Sequence, residues 1–327
     1  MGSYLLRRLG VSIVTLAGIS VIIFALMHEV YPLPGRDVMG PRASSAVVAA
    51  FNRDNGYTGP VAVQYWHYLD RWLHGNLGFS ANLNQSVAAL FEQRYLRSLY
   101  LTGTAVLLAL LIAIPVGIYQ AARRNSTADH AVTGVALIAY SAPDFLVYLI
   151  AIQIFAFTFP IFGYQASQST SLLSVMADWR DMAMPIVCFA LLIAAGLSRY
   201  MRSEAANALR QDHLTAARAR GLPERLVLVR HVLRNACLPM ITMVGLLIPA
   251  LLAGNVIIET VFNYNGLGLL FYVGAQNEDY PVLLALTLIG AVLTVLGNLL
   301  ADIALTIADP RVRLHPTAGR PSHGAPV

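Results

Sequence analysis

The sequence predicts an all-α, polytopic membrane protein with six transmembrane helices and an extracytoplasmic insert after the first helix. Hydrophobic residues make up 57% of the 327 residues and charged residues only 12%, a composition too apolar for a water-soluble core. Six apolar runs approach or exceed the roughly 17–25 residues that a spanning helix needs. The arginines concentrate in alternate connecting segments, as the positive-inside rule requires.

The apolar runs are Leu9–Met27, Ser98–Ala122, Ala131–Gly163, Met182–Ser198, Ala236–Ile258 and Val282–Ala301. Five of them fit a single crossing, whereas the third is longer and should leave the bilayer near Pro160. The first run has 19 uncharged residues, whereas the apolar part of a secretory signal has about 7–15. Because Arg7 and Arg8 precede this run, we expect the N-terminus to stay in the cytoplasm.

Six crossings return the C-terminus to the cytoplasm and divide the chain into four parts. These are 1–30 (N-terminus and first transmembrane helix), 31–97 (extracytoplasmic), 98–311 (helices 2–6) and 312–327 (flexible cytoplasmic tail). The cytoplasmic segments would be 1–8, 123–130, 199–235 and 302–327, which hold 15 of the 22 arginines. The excess of basic over acidic residues therefore reflects membrane orientation. No basic-aromatic motif indicates nucleic-acid binding.

Several kinds of chemistry are excluded by residues that the sequence lacks. All 22 basic residues other than histidine are arginine. Without lysine the chain has neither a Walker A phosphate loop nor a Schiff-base site. The histidines show no metal-ligand spacing, and Cys188 and Cys237 are small apolar fillers in or beside the fourth and fifth runs. We therefore expect no catalytic residue, metal or cofactor in this chain.

The extracytoplasmic segment 31–97 begins with helix-breaking residues and contains an amphipathic helix. Pro32, Pro34 and Gly35 block continuation of the first helix. Apolar residues then recur at helical spacing, and Gly75 ends the pattern. They are Val61, Tyr65, Tyr68, Leu69 and Trp72. This helix either lies at the membrane interface, anchored by its aromatic residues, or forms a docking surface for an extracytoplasmic partner.

The segment 199–235 reads as a helix, a glycine corner and a second helix. The helix of the fourth run should continue through Arg199–Leu209, Gly221 suits a left-handed corner, and Pro223 suits the first turn of a new helix. Ordinary positive-inside charge alone would explain the arginines. It does not explain the alanines Ala216, Ala217 and Ala219, because a purely solvated turn gains nothing from them. We therefore predict a rigid elbow.

Asp144 is the acidic residue within the third apolar run. A carboxylate at the centre of a bilayer costs about 2.5–3.5 kcal/mol on insertion scales. Asp144 should therefore either line a polar path through the helices and meet a cationic group there, or bond to a neighbouring helix. The sequence leaves both readings open.

The loop Glu259–Pro281 combines turn residues with apolar residues. Asn263, Asn265, Gly266 and Gly268 indicate turns. Val261, Phe262, Leu267 and Leu269 are too apolar for a freely solvated loop. We expect the loop to fold back between the outer ends of the transmembrane helices, with a non-helical backbone. Glu259 would hold the loop in position. The alternative is a re-entrant packing element that contacts no other molecule.

Five stretches together resemble one known family. They are "YLLRRLGVSIVTLAGISVIIFALMH", "QYWHYLDRWLHGNLGFS", "DHLTAARARG", "ETVFNYNGLG" followed by "DYP", and "ADPRVR". In this order they are similar to the motifs of dipeptide/oligopeptide-type ABC transporter permeases, in which the third is the EAA loop. Asn76, His213 and Asn265 depart from the family's usual residues at their positions.

The resemblance implies a type I ABC importer permease fold and a non-catalytic subunit of a bacterial plasma-membrane importer for di- or oligopeptides. It implies a second paralogous permease, two cytoplasmic ATP-binding subunits that carry ATP and Mg²⁺, and an extracytoplasmic solute-binding protein. The ATPase-coupling residues would be Asp212, His213, Thr215, Ala216, Ala217, Arg218, Ala219, Arg220 and Gly221. The outer-loop gate would comprise Glu259, Phe262, Asn265, Gly266, Leu267 and Gly268.

Other functions remain open at this stage. Relatives within the family carry nickel, haem or glycosides. A secondary transporter would need no ATPase, although the sequence shows no clear internal repeat. A channel would call for a repeated selectivity element, and an intramembrane enzyme for paired catalytic residues at one depth; the sequence has neither.

Overall fold

The computed structural model describes residues 2–30, 33, 35–40, 42–54, 56–211, 214, 218 and 221–308. The predicted tail 312–327 lies outside these residues. The described part of the chain is helical apart from connecting loops and one short antiparallel hairpin, β1 (Phe79–Ser80) with β2 (Gln85–Ser86). The prediction of an all-α fold is therefore confirmed.

The helices before the middle of the chain are α1 (Gly2–Val30), α2 (Gly35–Met39), α3 (Ser45–Asp54), α4 (Val61–Leu73), α5 (Val87–Ala122), α6 (Thr127–Ser141) and α7 (Asp144–Ile152). Those after it are α8 (Leu172–Ala177), α9 (Trp179–Leu209), α10 (Glu224–Leu226), α11 (Leu233–Ala253), α12 (Val256–Val261), α13 (Leu267–Gln276) and α14 (Tyr280–Ala308). Two π-helical segments, π1 (Gln153–Thr158) and π2 (Val227–Val232), continue α7 and α10.

Four of these helices are long and apolar enough to cross a membrane, namely α1 from Arg8, α5, α9 and α14 as far as Ile303. Two bent pairs pass the same test together. The first joins α6 to α7 and π1 at an angle of 105°, and the second bends by 45° around Leu238. Six spans result if each bent pair counts as one crossing.

The third apolar run is the one that differs most from the sequence prediction. We expected a single crossing from Ala131 with Asp144 inside it, and the structure instead breaks the helix at Ala142. The cause is Pro143, because the residue before a proline is driven out of the helical region. Ala142 accordingly has φ −75° and ψ 141°, and Asp144 becomes the first residue of α7.

The predicted amphipathic helix of the 31–97 segment is confirmed as α4, and it packs on α1. Tyr68 is only 5% exposed and its ring lies 5.6 Å from that of Phe24. The Tyr65 hydroxyl lies 2.8 Å from Ser20 Oγ. Gly75 follows the helix with φ 77°, as its predicted role requires. Most of the apolar stripe therefore faces the protein, and Val61 is the exposed member.

The helix of the second apolar run begins earlier than that run. It starts at Val87 rather than at Ser98, and Ser86 caps it by accepting a hydrogen bond from Ala89 N at 3.3 Å. A capping serine satisfies one of the free N–H groups at a helix start. The first three turns of α5 are thus part of the segment predicted to be extracytoplasmic.

The core forms where α5 packs against α9. Small buried side chains line this contact, and they are Ala105, Ala109, Ala113, Ala190, Ala194 and Ala205. Helices in membranes associate through close packing of such small residues. At the tightest point a Cβ on Gly117 would lie 2.6 Å from Met201 Cβ and 2.8 Å from the carbonyl oxygen of Ser198. Only glycine allows the two helices to approach this closely.

A further contact joins the first and last spans. Arg8 Nε lies 2.6 Å from Asp302 Oδ2, which pairs the beginning of α1 with the end of α14. The ends of α5 and α9 near Gly117 and Met201 lie together. We call this end of the bundle the elbow end, and its described residues are 117–133, 198–211, 214, 218 and 221–226. The opposite end comprises residues 86–101, 160–178 and 254–281.

We predict that Gly117→Ala destabilises the protein by about 1–3 kcal/mol, because overpacking a tight contact forces the helices apart. Gly103→Ala in the same helix is the matched control, since its Cβ would meet nothing within 4 Å. That control should be neutral or stabilising by up to about 1 kcal/mol, since alanine favours helix. Thermal unfolding of the two purified variants in detergent checks this, and equal melting temperatures would contradict it.

Candidate functional site

The elbow predicted from the sequence follows directly from α9. The helix continues without a break to Leu209, as expected. Most of the predicted ATPase-coupling residues lie outside the described residues, namely Asp212, His213, Thr215, Ala216, Ala217, Ala219 and Arg220. The structure describes Leu214, Arg218 and Gly221 of this segment.

Gly221 forms the corner of the elbow. Its φ is 77°, the left-handed conformation that the sequence predicts, and its N–H donates to the Arg218 carbonyl oxygen at 2.9 Å. Among the described residues other than its chain neighbours, no atom lies within 4 Å of the position that a Cβ would occupy. The backbone conformation, rather than lack of space, therefore restricts this position to glycine.

Leu214 fixes the inner side of the elbow. Its side chain is fully buried, in the cluster that contains Met201 and Ala205 of α9 and Val227 and Val232 of π2. A leucine buried in this way stabilises its position by about 1.5–3 kcal/mol relative to exposure. The elbow is thus attached to the helices on both of its sides.

An ion pair spans the corner on the exposed side. Arg218 Nη2 lies 2.7 Å from Glu224 Oε1 and Nε lies 3.1 Å from Oε2. The hydrogen bond to Glu224 raises the pKa of Arg218. Such exposed pairs contribute about 0–1 kcal/mol, so this pair orients the corner and adds little to stability.

At the opposite end of the bundle, Glu259 organises the start of α13. Its carboxylate is fully buried and accepts hydrogen bonds from Ser98 Oγ at 2.7 Å, Gly268 N at 2.7 Å and Leu269 N at 3.2 Å. Burial raises the pKa of this carboxyl, although these donors oppose the shift. A carboxylate at a helix N-terminus satisfies free N–H groups and interacts favourably with the helix dipole. Glu259 therefore positions the 259–281 loop, as the sequence predicts.

Two glycines make this arrangement possible. A Cβ on Gly266 would collide with the Glu259 carboxyl group, and a Cβ on Gly268 would lie 2.7 Å from the carbonyl carbon of Asn255. Ser98 completes the site, since its Oγ also accepts from Leu267 N at 2.7 Å. The turn residues of the sequence motif thus provide close approach between backbone and carboxylate.

The expectation of a non-helical 259–281 loop is wrong. Residues 256–261 and 267–276 are helical, and the irregular parts are the short connections 262–266 and 277–279. Because Glu259 satisfies the free N–H groups of α13, a helix can form where we expected open backbone. Phe262 is fully buried against Tyr148, with ring centroids 5.8 Å apart, and Leu267 is 4% exposed. Both side chains therefore pack in the core of this chain.

The segment 160–178 covers the turn of the loop. Ala166 N donates to the Phe262 carbonyl oxygen at 2.8 Å, and Gln168 Nε2 donates to the Asn263 carbonyl oxygen at 2.7 Å. Asn265, another predicted gate residue, is half-buried and donates from Nδ2 to Gln168 Oε1 at 3.2 Å. The predicted gate residues are thus brought together as one packed layer. Their role in gating stays a prediction.

Asp144, the predicted pathway residue, is the first residue of α7. It is exposed at the bend between α6 and α7, where it is the acidic residue in the first turn of α7. It forms no contact with the Glu259 site or the elbow among the hydrogen bonds of the described residues.

The sequence analysis missed two buried charged residues that have polar partners in the structure. Arg97 is 8% exposed, and its Nη2 donates to the carbonyl oxygens of Ser169 and Thr170. Asp129 is 1% exposed and pairs with Arg202. The sequence carried a signal only for Asp129, because "STAD" from Ser126 has the capping-box spacing. Nothing in the sequence connects Arg97 with residues 169–170.

Within the described residues, no group of three histidine, cysteine, aspartate or glutamate side chains could hold a metal ion. Cys188 and Cys237 are free thiols.

We predict that Gly221→Val redirects the elbow, because a left-handed residue with a Cβ costs roughly 1–2 kcal/mol. That cost changes a corner without unfolding the bundle. Proteolysis at the elbow should become faster, while the melting temperature of the remaining helices stays the same. Gly196→Ala in α9 is the control, since its Cβ would meet nothing within 4 Å. Identical cleavage rates for Gly221→Val and wild type would refute this.

A second prediction concerns Glu259. Glu259→Ala should destabilise the chain by several kcal/mol, because up to three buried donors lose their acceptor at about 1–3 kcal/mol each. Glu259→Gln should also destabilise, because its amide places a donor against the N–H groups of α13. Glu278→Gln, an exposed residue of the same loop, is the control. Thermal unfolding measures the difference, and a wild-type melting temperature for Glu259→Ala would count against this role.

Comparison with known proteins places the chain in one family. Residues 113–314 match the binding-protein-dependent transport system inner membrane component, and residues 1–88 match the N-terminal region of membrane components of such systems. The first match covers the elbow and Glu259, whereas Ser98 lies between the two matched ranges.

The chain is similar over nearly its whole length to several named permeases. It is 36% identical over 316 residues to the oligopeptide transport system permease protein AppB of Bacillus subtilis, covering 95% of this chain and 99% of that one. It is 33% identical to the glutathione transport system permease protein GsiC of Salmonella typhimurium, covering 96% and 99%. It is 32% identical to a putative peptide permease protein of Brucella suis, covering 95% and 99%. The chain therefore belongs to the family of inner membrane components of binding-protein-dependent transport systems.

Proposed function

We propose that this protein is the permease subunit of an ATP-driven importer that carries di- or oligopeptides across a bacterial plasma membrane. The observation that supports this most directly is its end-to-end similarity to permeases named for oligopeptides, glutathione and peptides. A glycine-cornered elbow at one end of the bundle and a packed polar loop at the other suit a subunit that couples two sides of a membrane.

The proposed assembly contains a second, paralogous permease, two ATP-binding subunits and a solute-binding protein. The ATP-binding subunits would bind the elbow at residues 212–221 and would carry ATP and Mg²⁺, because this chain has no lysine for a phosphate loop. Residues 199–235 and both termini would be cytoplasmic. The segments 31–97 and 259–281 would face the binding protein.

The proposed mechanism is rigid-body alternating access. Closure of the ATP-binding subunits would move the elbow. The helix α9 would carry that displacement into the bundle, because Leu214 of the elbow is buried in one cluster with Met201 and Ala205 of α9. The 259–281 loop, held together by buried Glu259 and Phe262, would then move as one unit and open the pathway outward. Asp144 at the α6–α7 bend would meet a cationic group of the peptide, such as its free ammonium.

The experiment that tests the proposal is transport by the complete complex in proteoliposomes. Uptake of a labelled tripeptide should require ATP, both ATP-binding subunits and the binding protein. Gly221→Val should abolish uptake while the ATP-binding subunits still co-purify, and Gly196→Ala should transport normally. Uptake without ATP would indicate a secondary transporter. Uptake of nickel, haem or a glycoside, with no uptake of peptide, would refute the proposed cargo.

A further inference from the structure

Asp129 and Arg202 form a buried ion pair at the elbow end. The two oxygens of Asp129 accept from Arg202 Nε and Nη2, each at 2.7 Å. The Asp129 side chain is 2% exposed and that of Arg202 31%. Two parallel hydrogen bonds between guanidinium and carboxylate fix both the distance and the angle between the groups.

Other groups hold Asp129 in place from three sides. Asn125 N donates to its Oδ2 at 3.0 Å, and Asp129 N donates to Ser126 Oγ at 3.2 Å. Gln120, itself 1% exposed, donates from Nε2 to Oδ1 at 3.4 Å and to Thr133 Oγ1 at 3.1 Å. The carboxylate is therefore fixed relative to the ends of both α5 and α6. Arg202 is the only ionic partner of Asp129 among the described residues.

The same face of α9 holds α6 at a second point. Arg199, three residues before Arg202, places its guanidinium carbon 5.4 Å from the centroid of the Tyr140 ring. Asp129 lies near the beginning of α6 and Tyr140 near its end. Two arginines on successive turns of α9 thus contact both ends of α6.

The Arg202–Asp129 pair lies between the elbow and the bent span formed by α6 and α7. Arg202 lies on the uninterrupted helix that ends at the elbow. Beyond its far end, α6 bends by 105° into α7, whose Tyr148 packs against Phe262 of the 259–281 loop. Contacts of known geometry therefore connect the elbow to the opposite end through α6.

We propose that the Arg202–Asp129 pair is a positioning pair that transmits displacement of the elbow to the bent span formed by α6 and α7. This inference rests on the proposed function for the source of the displacement. Arg202 suits this role because its planar guanidinium makes two hydrogen bonds to Asp129 and so couples both translation and rotation of α9 to α6. A lysine would provide a single flexible contact. The Tyr140 contact keeps the far end of α6 aligned with α9.

The test separates transmission from simple bracing with conservative variants in the complete complex. Arg202→Lys keeps the charge and Asp129→Asn keeps the shape, so both should assemble. Each should lower peptide-stimulated ATP hydrolysis relative to basal hydrolysis by about ten-fold, a typical coupling between sites. The double variant should be no worse than either single variant, because residues that act as one unit are not additive.

Asp302→Asn is the matched control, because it removes another ion pair at the same end, between α14 and α1. It should leave the ratio of stimulated to basal hydrolysis unchanged. The proposal is wrong if the Arg202→Lys and Asp129→Asn variants retain the wild-type ratio. It is also wrong if the ratio in all three variants falls only in proportion to the melting temperature, because the pair then serves stability alone.

A distance measurement tests the inference without reference to the cargo. Spin labels at exposed Ser141 of α6 and exposed Leu107 of α5 should change their separation when ATP binds to the wild-type complex. Arg202→Lys should suppress that change, and Asp302→Asn should preserve it. A wild-type complex that moves on ATP binding but ignores peptides would refute the proposed cargo and leave this inference standing. No ATP-dependent change in the wild type would overturn the inference.

Discussion

The close approach of α5 and α9 at Gly117 is the constraint on which the rest of the structure depends. With no Cβ at this position, Met201 and the Ser198 carbonyl oxygen come within contact distance of the α5 backbone. Inside a bilayer no hydrophobic force drives helices together, so small residues and close packing determine which helices associate. The helices α6, α7 and α11 pack against this pair, whereas α1 packs on α14 and α4.

Each end of the α5–α9 pair carries a different buried polar network. At one end Ser98 of α5 joins Glu259 to the start of α13. At the other end Arg202 of α9 pairs with Asp129 in the first turn of α6. A buried charge without partners is costly, so each carboxylate fixes the helix that supplies its donors. Rigidity at both ends suits a subunit that must carry a movement through its whole length.

The sequence by itself specified much of this protein. Apolar run lengths identified the spans, and the spacing of Tyr65, Tyr68 and Trp72 identified α4. The Gly221–Leu222–Pro223 order identified the elbow corner, because these residues restrict their own backbone conformations locally. Glu259 was identified as the organiser of its loop. The bend at Ala142 also has a local cause, because Pro143 drives the residue before it out of the helical region. We did not predict it, because we took the long apolar run as one crossing.

Only the tertiary structure decided which residues meet across the bundle. Ser98 and Glu259 are distant in sequence, as are Arg97 and Ser169, and no local pattern specifies that they touch. Tertiary contacts also converted the expected open 259–281 loop into two helices, because the Glu259 carboxylate satisfies N–H groups that would otherwise need water. Packing between helices also buries the side chains of Phe262 and Leu267 in the core of the chain. Local backbone preferences are set by neighbouring residues in sequence, whereas the partners of buried polar groups are set by helix packing.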